Sequence, residues 1–166
     1  MLRSFLRRAP VLWVPPLLAG AVATAALAEP VPRPDGLVVL QETVTRQGVE
    51  VIGVYGAEDD PVQAGVRRVK VWRELPDRVT VSTDVVHCSP EGPMRITGDD
   101  RRLILRELNP GGAITPLNRL DHLIWWAACQ PDQAGRDPAT LAPLARRLGY
   151  SGTLPEREQF LPKPRR

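Results

Sequence analysis

The apolar positions of this chain repeat with two periods, and the change between them falls just after a run of turn residues, Asn109-Pro110-Gly111-Gly112. Before that run the period is two. From Arg78 to Val86, Val79, Val81, Thr83 and Val85 face one way and the residues between them the other, the pattern of a half-buried strand. Val66 to Leu75 puts Val69 and Val71 on one face and Arg68, Lys70 and Trp72 on the other, and Pro76-Asp77 joins the two runs as a hairpin. Leu37 to Thr45 and Val49 to Tyr55 predict two earlier strands about the turn Arg46-Gln47-Gly48. Met94 to Thr97 and Arg102 to Leu108 predict two later ones about Gly98-Asp99-Asp100. Proline lacks the amide proton a ladder needs and glycine favours a turn, so Asn109 to Gly112 must end the last strand. Gly56 to Gly65, with Glu58-Asp59-Asp60-Pro61 inside it, reads as a polar loop.

From Thr115 the period is that of a helix. Thr115 suits the N-cap and Pro116 the first turn, and Pro131 stops the helix after about Gln130. Leu117, Leu120, Leu123, Ile124, Ala127 and Ala128 share a face that should lie on the sheet. The opposite half carries Asn118, His122, Trp125, Trp126 and Cys129, and Asp121 and His122 read as exposed. A second helix starting at Leu141, capped by Thr140, places Pro143 where no intrahelical amide bond is required. Gly149 suits its end, and Tyr150 packs back over the last turn. The predicted fold is α+β: an antiparallel sheet of five or six strands packed against two C-terminal helices. It occupies residues 37–154, with an extended lead-in at 29–36 and a polar basic tail at 155–166.

The first 28 residues change the setting. Three arginines and no acid precede an apolar run from Ala9 to Leu27, which closes on Ala26-Leu27-Ala28, a small-x-small cleavage pattern. The run is near the shortest length that spans a bilayer, about 19 residues, but Pro15-Pro16 would disrupt a spanning helix. The expectation is a cleaved signal peptide. The chain is then exported to the periplasm or another extracytoplasmic compartment, with no stable membrane span after cleavage. Arg7-Arg8 leaves the twin-arginine route open beside the general one.

Charge and cysteines narrow the picture further. The formal charge of +3 misleads, because three bases lie in the leader and three more are Lys163, Arg165 and Arg166. Residues 29–162 hold 16 bases against 19 acids, which excludes a nucleic-acid partner. Cys88 and Cys129 are the only cysteines, and in an oxidising compartment they predict a single disulfide. Closing its loop of about 40 residues stabilises the fold by roughly 3–4 kcal/mol on chain-entropy grounds.

Candidate chemistry is sparse. His87 and His122 stand near Asp84 and Asp121 without the spacing of a metal motif, and neither cysteine belongs to a CxxC pair, so no metal and no cofactor are expected. Glu58, Asp59 and Asp60 lack the alternation of a calcium loop. No GxSxG or phosphate-binding glycine loop occurs, and no residue is given a catalytic role. The tryptophans carry more. Trp125 and Trp126 lie off the apolar stripe, where they either pack against the second helix or the tail, or anchor another protein. Trp72 shares a face with Arg68 and Lys70, a possible cation–aromatic patch, and His122 completes the candidate binding set. These features lead to the expectation of a non-enzymatic binding or accessory protein of the bacterial cell envelope, with an envelope protein as partner. The alternative is a small secreted hydrolase using His122 with Asp121 or Asp84.

Overall fold

Each strand pairs with the next in sequence, so seven strands form one antiparallel sheet in the order β1 to β7. The strands are β1 Val38–Thr45, β2 Gly48–Asp59, β3 Val66–Leu75, β4 Arg78–His87, β5 Met94–Gly98, β6 Arg102–Glu107 and β7 Arg157–Pro162. Between β6 and β7 come helix α1, Arg119–Cys129, two 3-10 turns, Pro131–Gln133 and Pro138–Leu141, and helix α2, Ala142–Arg147. The structure, a computed structural model, describes residues 31–98 and 101–162. The expected leader, 1–28, lies outside them.

The α+β architecture, with an antiparallel sheet packed against two helices C-terminal to six of its strands, is as the periodicity predicts. The β3–β4 hairpin runs without a break from Val66 opposite His87 to Leu75 opposite Arg78. At the β1–β2 turn Gly48 has φ 134°, and a Cβ there would come within 2.8 Å of the Pro76 ring, so the turn requires glycine. A bulge between Val39 and Gln41 turns Leu40 into the core.

Four local expectations are corrected. The sheet has seven strands, because β7 lies inside the segment read as a tail. All six of its residues are exposed, so it carries no apolar alternation to announce it. The acidic pair Glu58-Asp59 ends β2, where the two carboxylates face Arg68 and Arg67 across the ladder. Opposite charges in that position favour a strand over a loop. Helix α1 begins three residues late, at Arg119 with Asn118 in the cap position. The Thr115 hydroxyl donates to Asn118 Oδ1 at 3.2 Å, so Thr115 caps nothing and Leu117 is left 92 % exposed. The second helical segment starts early, in a 3-10 turn whose cap is Asp137: its carboxylate accepts from the Ala139 amide at 3.1 Å. That amide, with Arg119 beside it, holds the Asp137 carboxyl below the usual carboxylate range.

The core lies on the face of the sheet that α1 crosses. Leu40, Ile52, Val54, Val69, Val71 and Val86 meet Leu123 to Ala128 of α1, and Leu141, Ala145 and Tyr150 complete the cluster. Eight consecutive α1 residues, Asp121 to Ala128, are buried. A helix enclosed on every side has no solvated face to carry its polar residues. Its last turn has no base of its own, and Arg67 of β3 supplies one by donating to the Ala128 carbonyl.

The disulfide forms between Cys88, just after β4, and Cys129, the last residue of α1, with the Cα atoms 5.6 Å apart. Two hydrogen bonds hold the same place: Trp125 Nε1 donates to the His87 carbonyl at 2.9 Å, and Tyr150 Oη donates to the Cys88 carbonyl at 2.5 Å. Cys88→Ala/Cys129→Ala is therefore expected to lower stability by about 3 kcal/mol in urea unfolding while retaining the native near-UV spectrum. Burial, with Glu91 nearby, pushes the Tyr150 phenol up to about 12. Because the folded value is the higher one, its contribution is intact below about pH 10 and is lost as the pH rises toward 12. An alkaline absorbance titration should show one tyrosine ionising only as the fold opens.

Candidate functional site

The exit of β6, the start of α1 and the segment that leads into β7 converge at one end of the sheet, and their polar side chains bind mainly one another. Asn109 ties the returning chain to the strand exit. Its amide donates to Glu156 Oε1 at 3.1 Å, its Nδ2 donates to the Gly152 carbonyl at 3.0 Å, and its Oδ1 accepts from the Leu154 amide at 3.1 Å. A Cβ at Gly112 would lie 2.0 Å from that Nδ2, so only glycine leaves Asn109 its place.

Glu156 gathers three donors: the Asn109 amide, Asn118 Nδ2 at 2.7 Å and His122 Nε2 at 2.7 Å. A carboxylate placed among donors assigns the Nε2–H tautomer to His122. The ring is wholly buried, and among the described residues its Nδ1 has no hydrogen-bond partner; neither has Trp126 Nε1, one turn further along α1. Glu156→Gln would turn an amide NH2 toward these donors. The expected cost is about 1–3 kcal/mol, with faster hydrogen exchange across β7, which follows directly in the chain.

Beside this hub runs a chain of charges across the sheet. Asp84 on β4 accepts from Arg95 on β5, whose Nε and Nη2 lie 2.7 and 2.6 Å from the carboxylate, and from Ser82 Oγ at 3.1 Å. Arg95 also binds Asp121 of α1. Arg106 on β6 donates to both Asp121 oxygens, at 3.0 and 2.9 Å, and to Glu158 on β7 at 2.8 Å. Arg95 and Arg106 are direct cross-strand partners, a pairing of like charges that would repel. Asp121, lowered between them from the helix, neutralises the pair and fixes α1 over the sheet.

A cleft of about 550 Å³ opens against these groups, lined among others by Arg106, Asn109, Leu117, Asn118, Glu156 and Glu158. Among the described residues no three histidine, cysteine or carboxylate side chains come together as a metal site. No helix there is long and apolar enough to cross a membrane.

Of the residues singled out from the sequence, His122 and Asp121 lie at this site and the others fall elsewhere. Trp125 and Trp126 are 0 % and 1 % exposed and meet edge-to-face at 5.1 Å, so neither ring is available as a surface anchor. Trp72 is buried on the opposite face of the sheet, its Nε1 donating to Glu74 at 3.3 Å. Arg68, on the surface, binds Asp60 rather than an aromatic ring. No aromatic patch unites them. Asp121 and His122, read as exposed, are both buried. His122 bonds neither Asp121 nor Asp84, whose oxygens are taken by arginines, while the carboxylate it does bond, Glu156, was hidden in the apparent tail. No protein-family model matches the chain, and no curated protein or solved structure matches it.

Proposed function

We propose that this chain is an exported, non-enzymatic binding or accessory protein of the bacterial cell envelope, and that it holds its partner in the cleft between the start of α1 and the β6–β7 edge. The observation that carries the reading is how the reactive groups are engaged. His122, Asp121 and Asp84, which the alternative hydrolase would need, are each tied to another side chain, and Asn109, Asn118 and Glu156 satisfy one another. The cleft beside them is open, with Leu117 92 % exposed on its wall. The disulfide supports maturation where thiols oxidise.

Intact mass of the chain recovered from the envelope tests export: cleavage after Ala28 and no alkylatable thiol are expected. Native mass spectrometry tests the cleft. Ala113→Arg with Leu117→Arg fills it without touching the Glu156 hub and should release a ligand that the wild type retains. Full-length chain in the cytosol with two free thiols would sink the export reading. Ester or peptide hydrolysis that disappears in His122→Gln would move the assignment to the hydrolase.

A further inference from the structure

We infer that the face of the sheet turned away from α1 is where two copies of this chain meet, stacked face to face with their strands crossing near a right angle. The apolar alternation of β4 leads there. Val79, Val81, Thr83 and Val85 do not point into the core. Ser82, Asp84 and Val86 lie on the α1 side, where Asp84 binds Arg95 and Val86 joins the core cluster. The ladder carries the outer face across the neighbouring strands: Val85 is level with Ile96, Ile96 with Leu105, and Leu103 with Leu161. None of these side chains belongs to the core cluster, and Val81 and Leu161 are 48 % and 42 % exposed. A sheet with one face in water carries polar residues at such positions. Among the described residues both helices pack on the other face. The lead-in reaches only the β2–β3 end, where Arg33 binds Glu74 and Leu37 lies close to Gly53.

Two charges choose the occupant. Lys70 on β3 and Glu107 on β6 both stand on this outer face, and among the described residues neither forms an ion pair; the Lys70 ammonium lies 5.7 Å from the centre of the Tyr55 ring. Lys70 is level with Thr83, one same-face step from Val85, and Glu107 is level with Met94, one step from Ile96 in the opposite direction. From the midpoint between Val85 and Ile96, each is one and a half strand spacings out and one step along, so the two lie about 10 Å away on opposite sides. A two-fold axis between stacked sheets, through that midpoint and at about 45° to the strands, exchanges the two positions and sets Lys70 of each copy over Glu107 of the other. The strands then cross at about 90°, one of the two angles at which sheets pack face to face. Sheets stacked about 10 Å apart leave a gap that a lysine and a glutamate side chain span together. Val85, Ile96 and Leu103 fall on or beside the axis and meet their own copies. Strands about 4.8 Å apart and about 20 Å of their length give about 500 Å² on each copy, so about 1,000 Å² is buried in all, enough for a specific but weak dimer. A face complementary to itself in shape and in charge fits a second copy better than an unrelated chain.

The inference rests neither on the cleft nor on export. The test is sedimentation equilibrium of the purified chain from about 1 to 200 µM, where a dimer in the micromolar range is expected. Val85→Arg sets two like charges against each other at the axis and should abolish the dimer while the monomer still melts cooperatively. Lys70→Glu should raise the dissociation constant about 100-fold, because the symmetry repeats the like-charge contact, and Glu107→Lys should do the same. Two results belong to the two-fold alone. Lys70→Glu/Glu107→Lys in one chain should dimerise within about threefold of the wild type, and mixing the two single variants should give a heterodimer that neither forms with itself. A chain that stays monomeric throughout overturns the proposal, as does a dimer that Val85→Arg leaves intact. It is equally overturned if neither the double variant nor the mixture recovers association, or if the face takes a different protein while the chain alone remains monomeric.

Discussion

Arg95→Met is expected to destabilise the fold by about 3–5 kcal/mol in urea unfolding, although methionine keeps most of the side-chain volume. Arg95 is buried between two buried carboxylates. Asp121 would still have Arg106, but Asp84, 0 % exposed, would be left with the Ser82 hydroxyl alone. A buried carboxylate stripped of its cation costs far more than the pair contributed, because its desolvation is no longer offset. Arg95→Lys should recover only part of the loss, since a point charge cannot fork between two carboxylates. Arg95→Met/Asp84→Val should recover most of it by removing the stranded charge and filling the space with apolar volume. A loss below about 1 kcal/mol for Arg95→Met would show that the charge chain does not hold α1 to the sheet.

That charge chain marks a boundary of what the sequence discloses. Strands β3 and β4 were legible because one face of each is apolar and a Pro-Asp turn joins them. The disulfide was legible because two cysteines allow one pairing. The partners of Asp121 were not, since Arg95 and Arg106 stand 26 and 15 residues before it and only the sheet register brings them under the helix. The same reason hid the burial of α1. Its apolar stripe was read correctly from Leu120 onward, but the tryptophans opposite were the sign of a second packed layer, built by Leu141, Ala145 and Tyr150. Two tryptophans on one helix therefore reported enclosure and not recognition. β7 left no trace in the hydrophobic pattern because it joins the sheet by backbone pairing and polar ties while burying nothing. With β7 unseen, Glu156 and the hub that the candidate site is built on had no visible reason to exist.

Trp125→Ala is expected to cost about 3–5 kcal/mol, the range for deleting a buried large aromatic side chain. The ring is fully buried, meets Trp126 and Tyr150 edge-to-face with both centroids at 5.1 Å, and donates to the His87 carbonyl. Truncation opens a cavity, removes two aromatic contacts and leaves a carbonyl without its donor. Trp125→Phe isolates the last of these, and should cost about 1–3 kcal/mol. The informative experiment combines Trp125→Ala with the loss of the disulfide. His87 and Cys88 are held to the helical layer by the Trp125 bond, the Tyr150 bond and the bridge to Cys129. Removing two of the three leaves a single hydroxyl to fix the end of β4. The summed cost, about 6–8 kcal/mol, reaches into the whole stability of a domain of this size. Cys88→Ala/Cys129→Ala/Trp125→Ala should therefore show no cooperative melting transition and should bind a hydrophobic dye, as an incompletely packed chain does. If it melts cooperatively, the helical layer is anchored mainly through Arg95 and Asp121 at the other end of α1, and the two ends of the helix contribute independently.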